Sequence, residues 1–241
     1  MKKGLLLVIG LVAVLALLLV ACEETSESGS NTQQTGIWVS GEGKVKAVPD
    51  VAILNLGIES QGKTVKEAQT EAATAMAAVV AALKSNGVAD KDIQTPVYNI
   101  EVVTKWDKDA ETLITIGYKV TNMVTAKIRD MSKAGTIIDA VAEAGGDLTR
   151  INGISFTVDN PTTYYTQARE KAMADAEAKA EQMADLAGIK LDKPFYISES
   201  GGYIPVPYAV RSYDAGVSAT TPISAGELEI TLSVQVAYGI K

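Results

Sequence analysis

Beyond Gly36 the hydrophobic positions of the chain follow two periods, two and about 3.6, which assign strands and helices. Ile37, Val39, Val45 and Ala47 alternate with Trp38, Glu42, Lys44 and Lys46, and Pro49-Asp50 then marks a turn. Alternation resumes from Val51 to Glu59, with Ala52, Leu54, Leu56 and Ile58 on one face. Two strands joined so tightly predict a hairpin. Thr64-Val65-Lys66-Glu67 fits a capping box. Val65, Ala68, Ala72, Met76, Val79 and Leu83 follow at helical spacing, and Asn86-Gly87 supplies the stop.

A strand is predicted near Val97 to Trp106, followed by a polar turn from Asp107 to Glu111. The alternation after it is unusually long. Ile114, Ile116, Tyr118, Val120, Val124, Ala126 and Ile128 point inward, and Asn122 is the one polar residue on that face. This pattern describes a long antiparallel strand with one dry and one wet face. A second helix spans Asp130 to Ala144, stopped at Gly145-Gly146, and a strand spans Ile151 to Val158. The longest helix runs from Thr162 to Ala187, with Ala168, Ala172, Ala176, Ala180, Met183 and Ala187 as a narrow stripe. That stripe suits core packing, or close approach to a second copy. A short strand follows at Pro194 to Ser198. Leu228, Ile230, Leu232, Val234, Val236, Tyr238 and Ile240 alternate along the last one. Hairpins plus helices without strict βαβ order predict an α+β fold: an antiparallel sheet covered by helices on one face.

The N-terminus reads as an address. Lys2 and Lys3 precede an almost wholly apolar run, Gly4 to Ala21, ending Leu19-Val20-Ala21-Cys22. This resembles a bacterial lipobox, in which the chain is cut before the Cys and the thiol is acylated. The run is also near the length of a membrane span, so an uncleaved anchor is the alternative. The chain's one Cys, placed where the apolar run meets Glu23-Glu24, decides for lipidation at Cys22. Residues 1–21 are then a signal peptide and 22–36 a lipidated flexible tether, in which 23–36 lack apolar side chains. Residues 37–241 form the folded domain. The expected location is the cell envelope, outside the cytoplasm, with the membrane as partner through Cys22.

Composition narrows the chemistry. With no His among 241 residues, no imidazole can act as base or metal ligand. One Cys allows neither an internal disulfide nor a zinc cluster. The formal net charge of -7, more acidic still once Lys2 and Lys3 are removed, argues against nucleic acid as a partner. Gly41-Glu42-Gly43-Lys44 superficially suggests a phosphate loop. However, Val45 stands where Ser or Thr is needed, so the glycines are read as a bulge or a close backbone approach in an edge strand. Glu177, Glu181 and Asp185 make an acidic strip on the long helix, read as a solvated face. No metal site, cofactor or catalytic residue is expected.

Several stretches resemble the SIMPL-domain family of bacterial envelope proteins. They are Ser40-Gly41-Glu42-Gly43 with Val48-Pro49-Asp50, Asp92-Ile93-Gln94-Thr95 with Tyr98, and Gly117-Tyr118 with Val124 to Asp130. Gly153-Ile154 with Phe156, Ala168-Arg169 with Asp175 to Ala180, Ile197-Ser198-Glu199, and Pro222-Ile223 with Gly226-Glu227-Leu228 complete the series. The match runs from about Gly36 to Ile240. It departs at Glu101 to Trp106, where relatives often carry Pro and Tyr, which leaves the geometry of that hairpin open. The resemblance implies an α+β fold able to assemble into large ring- or channel-like oligomers, with no established catalytic residue. Some relatives are linked to oxidative-stress defence, but no residue here supports carrying that role over.

The stretch from Glu199 to Gly226 is long and rich in Pro, Gly and Ser, with Tyr203, Tyr208 and Tyr213 around Arg211. Tyr and Arg favour interfaces, so these four are the candidate interaction residues; disorder is the competing reading. Three functions remain in play. The first is a membrane-tethered, non-enzymatic module that self-assembles as a homo-oligomer. The second is a binding protein for a small ligand or envelope component. The third, disfavoured by the missing His and free Cys, is a carboxylate-based hydrolase.

Overall fold

The computed structural model describes residues 35–201, 206–208 and 221–241. Strands β1 (Ile37–Ala47) and β2 (Val51–Gly62) are followed by α1 (Val65–Ser85). Then come β3 (Ile93–Asp107), β4 (Thr112–Ile128), α2 (Ala134–Gly145), β5 (Thr149–Thr157) and α3 (Thr162–Ala187). Strands β6 (Leu191–Ser200), β7 (Val206–Tyr208) and β8 (Glu227–Ile240) complete the chain. The α+β class holds, but the strands divide into two antiparallel sheets rather than one. One sheet has the order β3-β4-β2-β5. In the other, β8 lies between β1 on one side and β6 and β7 on the other.

The expected β1–β2 hairpin does not form. β1 pairs with β8 from Ile37↔Tyr238 to Ala47↔Leu228, and β2 lies between β4 and β5. The short link between them is a crossover from one sheet to the other. Asp50 holds it in place: its N–H donates to the Thr157 carbonyl at 3.1 Å, and its Oδ1 accepts the Asp159 N–H at 2.7 Å. An alternating strand specifies which face is buried, not which strand lies beside it.

In the first sheet, Ala52, Leu54, Leu56 and Ile58 of β2 and Val120, Val124, Ala126 and Ile128 of β4 form the core. Ala72, Val79 and Leu83 of α1 and Ile137 and Val141 of α2 pack over them. The capping box starts α1 as expected: Glu67 N–H donates to Thr64 Oγ1 at 3.2 Å, and Thr64 N–H donates to Glu67 Oε2 at 3.1 Å. A short 3₁₀ turn, Met131–Lys133, precedes α2, so that helix begins later than predicted.

In the second sheet, the Ala168, Ala172, Ala176, Ala180 and Ala184 stripe of α3 lies on β1 and β8. The stripe therefore packs against its own sheet. Ala184 takes the place expected of Met183 and Ala187, which are exposed. Gly41 and Gly43 make this contact possible. A Cβ on Gly43 would collide with the Ala168 carbonyl oxygen and lie 2.7 Å from Ala172 N; one on Gly41 would collide with the Ala172 carbonyl oxygen. The glycines thus serve a close backbone approach in an edge strand, and β1 is that strand.

Candidate functional site

Of the residues singled out in the sequence, Cys22, Tyr203, Arg211 and Tyr213 lie outside the described residues. Tyr208 is placed only by its backbone, which pairs with Glu227 at one end of β8. The described residues instead present surfaces that periodicity alone did not reveal.

The first is an arm. β4 pairs with β2 only as far as Tyr118↔Gly62, whereas its pairing with β3 continues to Thr112↔Asp107. Residues 103–107 and 112–117 therefore form a two-stranded ribbon that projects past the sheet. A bulge between Val103 and Thr104 lies at its base. Its tip is a polar turn in which Asp107 Oδ1 accepts the N–H groups of Asp109 and Ala110 at 2.9 and 3.2 Å. Ile114 and Ile116, expected inward, are exposed because α1 and β2 do not extend beneath them. Val102, Trp106 and Leu113 are also exposed, each by more than half. The register sets Trp106 beside Leu113 on one face of the ribbon and Ile114 on the other, so both faces expose large apolar side chains. A two-stranded ribbon alone is marginal in water, and such exposure marks an interaction surface.

The second surface is aromatic. On the face of the second sheet away from α3, Trp38 and Tyr196 both pair with Ala237 of the central strand. The Trp38 ring centroid lies 5.3 Å from that of Tyr196 and 5.9 Å from that of Phe195. A register shift between Pro194 and Tyr196 accompanies this grouping. Ala237 between Trp38 and Tyr196 is fully buried, yet about two-fifths of each ring-bearing residue remains exposed.

The open edge of β1 is closed by α3. Lys179 Nζ donates to the Ser40 carbonyl at 3.0 Å, Lys171 Nζ donates to the Lys44 carbonyl at 3.0 Å, and Asp175 Oδ2 accepts the Glu42 N–H at 2.8 Å. Residues 171, 175 and 179 recur at i, i+4, the spacing that places side chains in one row along a helix. Covering an edge in this way removes a template for strand addition. Lys179 also donates to Asp175 at 2.6 Å, and these bonds hold the Asp175 carboxyl below its ordinary value.

Charged chemistry is concentrated at the junction of the two sheets. Arg129 Nε and Nη2 donate to Asp92 at 2.8 and 2.9 Å, and its Nη1 donates to Asp159 at 2.6 Å. Lys127 Nζ donates to the other Asp159 oxygen at 2.7 Å. These hydrogen bonds, Lys127 first, hold Asp159 at about 2, and Arg129 lowers Asp92. Every carboxylate in the network has a cation beside it, an arrangement that braces structure and leaves no poised acid or base. Among the described residues no group of three potential ligands could hold a metal ion. A groove of about 810 Å³ lies along α1 and the end of α2, lined by Thr70, Thr74, Ala75, Ala78, Ala144 and Leu148 among others.

The chain matches the SIMPL family model, described as a protein of unknown function (DUF541), over residues 37–238. It is 37% identical to the 26 kDa periplasmic immunogenic protein of Brucella melitensis over 227 residues, covering 89% of this chain and 88% of that one. It is 28% identical to the uncharacterized protein YggE of Escherichia coli K12 over 200 residues, 83% of this chain and 78% of the relative. On that coverage, the chain belongs to the SIMPL family.

Proposed function

We propose that this chain is an extracytoplasmic, lipid-anchored SIMPL protein that works without catalysis, as a self-assembling module of the cell envelope. The observation that carries the reading is the β3–β4 arm, which displays Trp106, Leu113, Ile114 and Ile116 on a ribbon that has no third strand beside it among the described residues. An assembly of copies supplies what such a ribbon lacks, a packed face and a paired edge. The closed edge of β1 directs association away from that side of the fold. A two-fold pair of copies would join one such patch to itself, whereas a ring would join it to a second, complementary patch on the next copy. The periplasmic name of the Brucella relative supports the extracytoplasmic location. The apolar leader ending at Cys22 supports the lipid anchor.

Light scattering during size-exclusion chromatography of the chain from Glu24 to Lys241 tests this. A discrete oligomer is expected, and a monomer at all concentrations would overturn self-assembly. The groove along α1 and α2 favours a second reading, binding of a small apolar ligand or envelope component. Native mass spectrometry that finds retained ligand, lost when Ala78 is replaced by Trp, would select that reading.

A further inference from the structure

Trp38, Phe195 and Tyr196 sit at the end of the second sheet where the chain enters from its N-terminal segment. We propose that this end of the sheet lies on the bilayer, with the three rings at headgroup level, so that the anchored domain has a fixed orientation. The proposal rests on the anchor reading at Cys22 and adds a docking face to it.

The first support is where the chain outside the described fold joins it. Residues 23–36 separate Cys22 from β1, and a chain of fourteen residues reaches at most about 50 Å. Trp38 is the second residue of β1, so the cluster is confined close to the lipid surface whenever the anchor is inserted. Confinement turns a weak surface contact into an intramolecular one at high effective concentration.

The second support is a gradient of polarity along the outer face of the sheet. The row Trp38–Ala237–Tyr196 is aromatic and small. The next row, Ser40–Gln235–Ser198, is polar but uncharged. From the aromatic row toward the middle of the sheet the first carboxylate, Glu42, appears in the row after that, opposite Ser233; on the other side, at the end of the sheet, Asp192 lies beside Gly239 and is paired to Lys241. At the rise of a strand Glu42 is about 13 Å from Trp38. Trp and Tyr prefer the membrane–water interface because one end of each ring system is apolar and the other hydrogen-bonds.

The third support is local charge. The chain is acidic overall, yet Lys190, Lys193 and Lys241 are gathered at this end. Lys190 and Lys241 exchange backbone hydrogen bonds and Asp192 is paired to Lys241 at 2.8 Å; the other carboxylates near this end, Glu177 and Glu181 of α3, act on Tyr238 on the face away from the rings. Basic groups beside an aromatic cluster complement anionic headgroups.

The chain has two tryptophans, so W106F leaves Trp38 as the sole reporter. Residues 22–241 contain every described element of the fold. This chain can be coupled through Cys22, its only thiol, to maleimide lipid in vesicles of phosphatidylcholine and phosphatidylglycerol. The expected result is a blue shift of Trp38 emission and its loss to lipids brominated near the headgroup, with most of both removed by F195S/Y196S. Emission unchanged by the vesicles would overturn the proposal. So would a blue shift that needs no vesicles and grows with protein concentration, which would seat a second copy on the patch. If W106F fails to fold, the unsubstituted chain compared with W38F decides by difference. Chemical coupling supplies the tether whether or not cells acylate Cys22. The intact mass of the cell-derived chain tests acylation separately.

Discussion

Arg129 holds Asp92 in a two-pronged grip, Nε to Oδ2 at 2.8 Å and Nη2 to Oδ1 at 2.9 Å, although 37 residues separate them. The Asp92 carboxylate is nearly buried, 7% exposed, whereas Arg129 reaches solvent. Removing the cation while keeping the carboxylate strands a buried acceptor. R129M is expected to destabilise the fold by roughly 1–3 kcal/mol, the usual penalty for such a group. Urea denaturation measures it. R129K keeps the charge but loses the fork, and should fall between wild type and R129M.

The same network sets a response to acid. Asp159 titrates at about 2 in the folded chain against an ordinary 3.8, and Asp92 is lowered as well. A carboxyl with a depressed folded value stabilises the fold fully above its unfolded value, and the contribution is lost as pH falls through the folded one. Stability should therefore be level from neutral pH down to about 5 and decline between about 4 and 2. In D159N the decline should be shallower, because one of the depressed carboxyls is gone. Thermal melts across that range, with high salt as a second axis, check both statements.

Gly43 lies directly under the Ala168 carbonyl of α3. G43A places a methyl group against backbone, where no side chain can swing aside, so α3 must lift from β1. Overpacking of this kind costs typically 1–3 kcal/mol and sometimes more. S40A, on the opposite face of the same strand, should change stability by less than about 0.5 kcal/mol. The contrast between neighbouring small residues, read as the difference in urea midpoint, isolates the close approach from any general weakness of an edge strand.

Much of this architecture is legible along the chain because faces and ends have local signatures. Thr64 and Glu67 announce the start of α1, Gly188 ends α3 in the left-handed region, and the alternation of β8 separates its buried from its open face. Gly41 and Gly43 are readable as a close approach rather than a phosphate loop. Partnership is not legible in the same way. Nothing local to Val48-Pro49-Asp50 says that β1 and β2 part company, since pairing is decided by strands that lie more than sixty residues further along. The arm is hidden for a related reason. Ile114 and Ile116 continue the inward alternation of β4, and only the end of β2 at Gly62 shows that the core has stopped beneath them. Long-range ion pairs such as Arg129–Asp92 and Arg169–Glu199 leave no mark in sequence spacing at all.

Asn122 is a case where the pattern itself points to a weakness. It is the polar residue on the inward face of β4, between Ile58 of β2 and Tyr98 of β3 in register. Its Oδ1 is buried with no hydrogen-bond partner. Removing an unsatisfied acceptor and supplying a β-branched side chain in a strand should raise stability, by about 1 kcal/mol. N122V is therefore expected to increase the urea midpoint. A decrease would mean that the amide has a role at this position that its hydrogen bonds do not show.

The arm lies outside the buried core, so the self-assembly proposed for it is testable by substitution. Trp106 and Ile116 are both more than half exposed and lie beyond the end of β2. Neither side chain belongs to a buried core cluster, so W106E/I116E should change the stability of the monomer by little more than ordinary surface substitutions do, about 0.5 kcal/mol each. In an assembly, each carboxylate would have to be buried against a neighbour without a partner, a cost of several kcal/mol per site. The oligomer that the proposed self-assembly predicts should therefore fall to monomer in light scattering while far-ultraviolet circular dichroism stays unchanged. E101Q removes a carboxylate beside Lys119 near the base of the arm, outside the apolar tip, and should preserve the assembled mass. If W106E/I116E keeps its wild-type mass, association runs through another face. The aromatic cluster around Trp38 is then the next surface to alter, and the F195S/Y196S variant becomes the decisive measurement for assembly as well as for the membrane.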